Sequence, residues 1–257
     1  MGWQMSWNPA QYLRFADARL RPALDLLARL GETEPRRIVD LGCGAGNVTR
    51  LLAERWPAAE IVGIDSDAAM LARAARTLPA IDWQRADIAA WRAGFSPDLL
   101  FSNAVLHWLP DHRRLLPELV GQLCPGGVLA VQIPANFGEP AHQILRQLAG
   151  EAQWNDALGS VRMGSILPPT DYEHLLRPLC RQVELWETTY WHVLSGDDPV
   201  IEWMKGTTLL PFMKRLDGAA AEHFLAAYRE RLAAVYRRSP DGTTLFPFKR
   251  LFFVAQR

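Results

Sequence analysis

The apolar residues of this chain fall in short runs that end on an acid or an amide, separated by stretches with helical spacing. The first run, Ile38-Val39-Asp40-Leu41, stops at the glycines Gly42, Gly44 and Gly46, and helical spacing begins at Val48 and lasts to Trp56. A second run, Glu60 to Asp65, again ends on an acid and leads into a helical stretch over Asp67 to Arg76. The rhythm continues with a strand near Asp82 to Arg85, a fourth over Asp98 to Asn103, and a fifth over Val128 to Ile133 after the turn Pro125-Gly126-Gly127. Strands alternating with helices predict a doubly wound, mostly parallel α/β sheet that binds ligands at the carboxyl ends of its strands. Pro117 predicts that no single helix runs from Asp111 to Leu123 and that a second helical turn begins at the proline.

Beyond Pro134 the pattern is less regular, and Asn136 to Thr170 reads as one helix among Gly- and Pro-containing loops. Thr170-Asp171-Tyr172-Glu173 has the form of a capping box and predicts a helix starting there, before Leu175-Leu176. Glu184 to Leu194 is rich in aromatic and β-branched residues and predicts a strand, as does Phe248 to Val254. Asp197 to Leu245 looks helical, most clearly over Ala219 to Arg238. A block of about fifty residues between two strands is too long for a loop and predicts a small helical lobe. The expected organisation is a single domain over 1–257, with 1–30 as an N-terminal helical cover and 197–245 as a helical insertion between the last two strands. Such a cover would leave a buried pocket suited to a small ligand.

Chemistry enters at the first strand. Glycines at a strand-to-helix turn let the backbone take positive φ and approach a ligand closely. Here the spacing is G-x-G-x-G behind Asp40, one residue tighter than the dinucleotide fingerprint, and no Gly-Lys-Ser/Thr follows as a phosphate loop requires. Asp65 lies about twenty residues further on, at the end of the second strand, where an acid suits the vicinal hydroxyls of a ribose.

Composition narrows the partners. Lys+Arg and Asp+Glu balance at 28 each over 257 residues, so net charge gives no reason to expect nucleic acid or an anionic membrane. The start of the chain lacks a basic segment followed by an apolar core, and no run of about 18 apolar residues occurs, so a cytoplasmic protein is expected. Cys43, Cys124 and Cys180 are odd in number and widely spaced, which suits reduced thiols better than disulfides or zinc. The six histidines show no metal-ligand spacing. A monomer without a metal is expected.

Asp40 followed by G-x-G-x-G resembles the first motif of the class I methyltransferases that use S-adenosylmethionine (SAM), and Leu123-Cys124-Pro125-Gly126-Gly127-Val128-Leu129 resembles their loop before the fifth strand. The resemblance implies a Rossmann-like, seven-stranded sheet and SAM as cofactor. It puts Asp40 and the backbone of Gly42, Cys43, Gly44 and Gly46 at the methionine end, Asp65 with Ser66 at the ribose, Asp87 and Ile88 at the adenine, and Asn103 beside the methyl group. Asn103 is followed by Ala104-Val105-Leu106, not by the Pro-Pro-aromatic of enzymes that methylate amino groups on nucleic-acid bases, which favours a small molecule.

A narrower resemblance runs through the whole chain, to the trans-aconitate methyltransferases. It rests on Trp7 to Phe15 with Arg19 and Arg21-Pro22, Asn103 to His112, Ala130 to Pro134, Ile201-Glu202-Trp203, Gly206-Thr207 with Pro211-Phe212, and Phe246 to Ala255. It implies methyl transfer to a carboxylate of a small unsaturated tricarboxylate. Such a carboxylate is ionised at neutral pH and needs no general base. Arg21, Lys205 and Arg250 are the candidate cations for its other carboxylates, and Tyr12 is a candidate to cover the site. His107 and Trp108 follow the fourth strand closely enough to line it, His107 as a hydrogen-bond donor. Two positions depart from the family pattern: Leu209-Leu210-Pro211 where Leu-Arg-Pro is usual, and His107 where glutamine is frequent. These leave open a mono- or dicarboxylate, a related carboxyl or hydroxyl methyltransferase acting for instance on a malonyl thioester, and a non-catalytic SAM-binding partner protein.

Overall fold

The computed structural model describes residues 16–257. It divides into two compact units, one built on Leu20–Pro134, Ile166–Thr188 and Arg250–Arg257, the other taking in Ala135–Ser165 and Thr189–Lys249.

The chain opens with α1 (Ala16–Arg29), of which the first unit takes the part from Leu20 on, and then alternates: β1 (Arg37–Leu41), α2 (Asn47–Arg55), β2 (Glu60–Asp65), α3 (Ala68–Thr77), β3 (Asp82–Arg85) and β4 (Leu99–Asn103). A 3₁₀ turn at Leu106–Trp108 follows, then α4 (His112–Gln122) and β5 (Val128–Pro134). The second unit holds α5 (Pro140–Ala149) and α6 (Asn155–Leu158). The chain then returns through α7 (Pro169–Leu176) and β6 (Gln182–Leu194), forms α8 (Pro199–Lys205), α9 (Leu210–Met213) and α10 (Gly218–Val235), and ends on β7 (Thr244–Gln256). The seven strands lie in the order β3-β2-β1-β4-β5-β7-β6. β1 to β5 pair in parallel and β7 runs antiparallel to β5, giving the seven-stranded, mostly parallel sheet that the resemblance implies. β1, β4 and β5 are almost wholly buried apolar runs, as expected of strands covered on both faces.

Three local expectations need correction. α4 runs unbroken through Pro117. The hydrogen bond lost there would have gone to the carbonyl of Arg113, an exposed residue, while Leu115, Leu116, Leu119 and Val120 are buried along the helix and hold it together. α7 starts at Pro169, a residue before the capping box, and has no side-chain cap; a proline at the first helical position has its φ already set for the helix and leaves one fewer unpaired N–H in the first turn. β7 begins at Thr244, four residues ahead of the predicted strand, because Phe246 and Phe248 alternate into a buried apolar cluster.

That cluster is the core of the second unit, and it joins α5 and α6 to the three late helices. Leu145, Trp203, Met204, Phe212, Phe224, Tyr228 and Phe246 are all in it, and the Tyr228 hydroxyl donates to the carbonyl of Ala141 at 2.9 Å. β6 and β7 each divide between the two units, after Thr188 and after Lys249. Among the described residues no helix is long and apolar enough to cross a membrane, and no group of His, Cys, Asp or Glu side chains is arranged to hold a metal ion. Cys43, Cys124 and Cys180 are free thiols.

Candidate active site

The glycine turn after β1 is shaped by three left-handed residues: Gly42 (φ 76°), Gly44 (φ 54°) and Gly46 (φ 82°). The amides of Gly42 and Cys43 both donate to the carbonyl of Ile64, at 2.8 and 2.9 Å, which ties the loop to β2. A side chain at Gly42 would collide with Val105, whose Cγ2 lies 2.5 Å from the position of a Cβ. A Cβ at Gly44 would meet nothing within 4 Å. Gly42 is therefore a packing requirement. Gly44 instead presents bare backbone beside open space, as a cofactor cradle needs.

Two acids flank this loop. Asp65, at the end of β2, accepts the Gly44 amide on Oδ2 and the Asp67 amide on Oδ1, both at 2.9 Å. An ionised carboxylate has about four acceptor positions, so each oxygen keeps capacity for a hydroxyl. Asp67 caps α3 through the amides of Ala69 and Met70, which frees Asp65 from that duty. Ser66, between them, accepts from the Arg85 guanidinium on its carbonyl. Asp40 is buried, and the Thr49 hydroxyl donates to its Oδ2 at 2.6 Å. Burial pushes the Asp40 carboxyl up to about 7; the Asp65 charge adds to the rise and the Thr49 hydrogen bond opposes it. The Cys43 thiol is pushed well above its ordinary value, by burial and then by the Asp40 and Asp65 charges, so it stays a protonated loop residue.

Asp87 is exposed and its Oδ1 caps the next turn by accepting the Ala89 amide; its other oxygen is not used by that cap. Ile88 is buried. Asn103 ends β4 in register with Gln132 of β5. Ala104 then takes a left-handed φ of 58°, and its amide donates to the Gln132 carbonyl at 2.9 Å. This bend starts the turn that carries buried His107. His112 holds the turn from behind. Its Nε2 donates to the Leu106 carbonyl at 2.8 Å, which leaves Nδ1 to accept from the Tyr172 hydroxyl at 2.6 Å. The tautomer is set because a carbonyl only accepts.

The candidate cations divide. Arg250 is buried on β7 in register with Pro134. Arg21 is exposed on α1, facing Asp25 one helical turn on. Lys205 belongs to the second unit, ion-paired with Glu202. Tyr12 lies outside the described residues. The structure thus brings Asp40, Asp65, the glycine loop and Asn103 to the carboxyl ends of β1, β2 and β4, with His107 and Arg250 in the same unit. Sequence reasoning missed Thr49 and Gln132. The signals were a hydroxyl nine residues after Asp40 and one amide inside the buried run Val128–Pro134.

Residues 38–127 match the family model described as "Methyltransferase domain". The chain is 48% identical over 255 residues to the trans-aconitate 2-methyltransferase of an Azoarcus species, covering 98% of this chain and 99% of that one. With the enzyme of the same name from Methylobacterium nodulans the identity is 47% over 253 residues, 98% of each chain. The chain belongs to the trans-aconitate 2-methyltransferase family. Its fold is shared more widely: the YcgJ protein of Bacillus subtilis superposes with a TM-score of 0.60 at 14% identity, covering 91% of this chain and 97% of that one. Family membership accounts for the segments outside 38–127, in both units, that the class I motifs do not require.

Proposed function

We propose that this protein transfers the methyl group of SAM to a carboxylate of trans-aconitate, forming a monomethyl ester. What carries the reading is identity of 48% spread over 98% of the chain, far beyond the segment that matches the methyltransferase model. SAM, when bound, supplies an electrophilic methyl carbon on a sulfonium.

The residues fit that cofactor. The open backbone at Gly44 and the spare acceptor positions of Asp65 support a place for an adenosine, with Asp65 and Ser66 at the ribose and Asp87 and Ile88 at the adenine. Asp40 with the backbone of Gly42, Cys43, Gly44 and Gly46 serves the methionine end, and Asn103 the region of the methyl group. Because the accepting carboxylate is already ionised near neutral pH, the protein's task is positioning and exclusion of water. Arg250 is the cation best suited to clamp a remaining carboxylate, being buried; an arginine fork in a dry site makes strong bidentate bonds. His107 donates a hydrogen bond and is not required as a base. Arg21 is a further candidate cation of the same unit. The equal numbers of acidic and basic residues suit a small acid better than a nucleic acid, and the reading includes a monomer in the cytoplasm.

The test is a panel of carboxylic acids with labelled SAM. Trans-aconitate should show the highest kcat/KM, above citrate, unsaturated dicarboxylates and monocarboxylates, because its planar skeleton holds three carboxylates in fixed directions at low ordering cost. A higher value for a dicarboxylate or a phenol would reject the substrate assignment.

A further inference from the structure

We propose that Gln132 is a substrate-binding residue whose buried side-chain amide holds a carboxylate of the acid that accepts the methyl group; this rests on the reading above. Gln132 lies in β5, a strand buried at all seven positions, and is itself 0% exposed. Its neighbours in register are Asn103 on β4 and Phe252 on β7. Paired residues leave the same face of a sheet, and side chains along a strand return to that face every second residue. Arg250, two residues before Phe252 and opposite Pro134, therefore shares the face. Asn103, Gln132 and Arg250 form a row at the carboxyl ends of β4 and β5, all within the first unit.

Among the described residues neither Nε2 nor Oε1 of Gln132 has a hydrogen-bond partner, nor does Oδ1 of Asn103. A primary amide brings two N–H donors and an acceptor oxygen, and burying them unpaired opposes folding. In so apolar a strand, leucine or methionine would serve packing better. A bound carboxylate accounts for the choice: Nε2 donates to one of its oxygens, and Arg250 brings positive charge to the same face. A neutral donor has a further merit beside a sulfonium. It fixes the anion without adding a like charge next to the methyl donor.

The experiment compares the wild-type protein with Gln132→Leu and Gln132→Met, which keep the bulk and remove the polar atoms. KM for trans-aconitate should rise about 10- to 100-fold, with the dissociation constant for SAM within about twofold and Tm not lowered. Unsaturated dicarboxylates that each lack one carboxylate of trans-aconitate add a cycle on the substrate side. The penalty should vanish for the one missing the group that Gln132 holds. An unchanged KM in both variants, an equal loss on every acid, or loss of folding in both variants overturns the proposal, since each makes Gln132 a packing residue. A wild-type protein inert toward trans-aconitate removes the substrate reading and this inference together, whereas an active wild type beside an unaffected Gln132→Leu removes the inference alone.

Discussion

Alanine at Gly42 and alanine at Gly44 are one chemical change at two left-handed positions of the same loop, yet their effects should separate. At both, the new side chain sits at positive φ, a penalty of about 1–2 kcal/mol, partly offset because alanine has fewer unfolded conformations than glycine. For Gly44→Ala nothing further is added to the fold, since its Cβ meets no atom within 4 Å; we expect a stability loss of about 1 kcal/mol. Gly42→Ala also drives its Cβ to within 2.5–2.6 Å of Val105 Cβ, Cγ1 and Cγ2. No rotamer of Val105 escapes a clash with its own Cβ, so the backbone must move, and overpacking of this kind adds roughly 1–3 kcal/mol. The total for Gly42→Ala is about 2–4 kcal/mol. Urea unfolding measures both losses, and titration calorimetry measures SAM affinity. Gly44→Ala should weaken SAM at least about tenfold while remaining well folded, because its methyl group occupies the space left for the cofactor. Adding Val105→Ala to Gly42→Ala should recover only part of the stability, since the 2.6 Å approach to Val105 Cβ remains. The reasoning fails if Gly44→Ala binds SAM as the wild type does, or if the two single variants lose equal stability.

Asp65→Ala should raise the SAM dissociation constant about thirtyfold, on the order of 2 kcal/mol for charge-assisted hydrogen bonds to the ribose; unchanged affinity by calorimetry would reject the ribose assignment. Asp40 gives a pH signature. Its carboxyl is raised to about 7 in the folded protein, so the native state binds the extra proton and stability is greatest below the ordinary carboxylate range. Stability is then lost as pH rises from about 4 through about 7, by about 4 kcal/mol at most. Asp40→Asn should flatten that decline in Tm measured against pH, and a wild-type Tm that climbs over this window would contradict it. Arg250→Ala should raise KM for trans-aconitate at least about tenfold with SAM affinity intact, while Arg21→Ala, on an exposed helix face, should matter less; steady-state kinetics with calorimetry decides between them.

The parallel half of the sheet was legible because its signals are local. Ile38 to Gly46 carries a buried strand, an acid and a turn that only glycine satisfies at Gly42, and Asp65 repeats the strand ending on the neighbouring β2. Pro117 misled because the rule for proline concerns one hydrogen bond, whereas four buried aliphatic residues of α4 outweigh it. The grouping of 135–165 with the late helices was not legible, for it depends on contacts such as Tyr228 with Ala141, 87 residues apart. Asp40 and Asp65 could be singled out as candidate site acids, because each lies at the end of an apolar run in the sequence. Thr49 could not, because a threonine early in a helix has no signature until the carboxylate it touches is seen. Gln132 was hidden in the same way: the apolar run around it reads as a core strand, and only the lack, among the described residues, of a partner for its side-chain amide sets it apart.

The central claim is tested most directly by the identity of the product. Purified protein incubated with methyl-labelled SAM and trans-aconitate should yield a labelled monomethyl ester, recognised by mass spectrometry and by the ester methyl resonance in NMR, together with an equal amount of S-adenosylhomocysteine. Label that stays on SAM, or that leaves it without appearing on a carboxylate of trans-aconitate, would contradict the account.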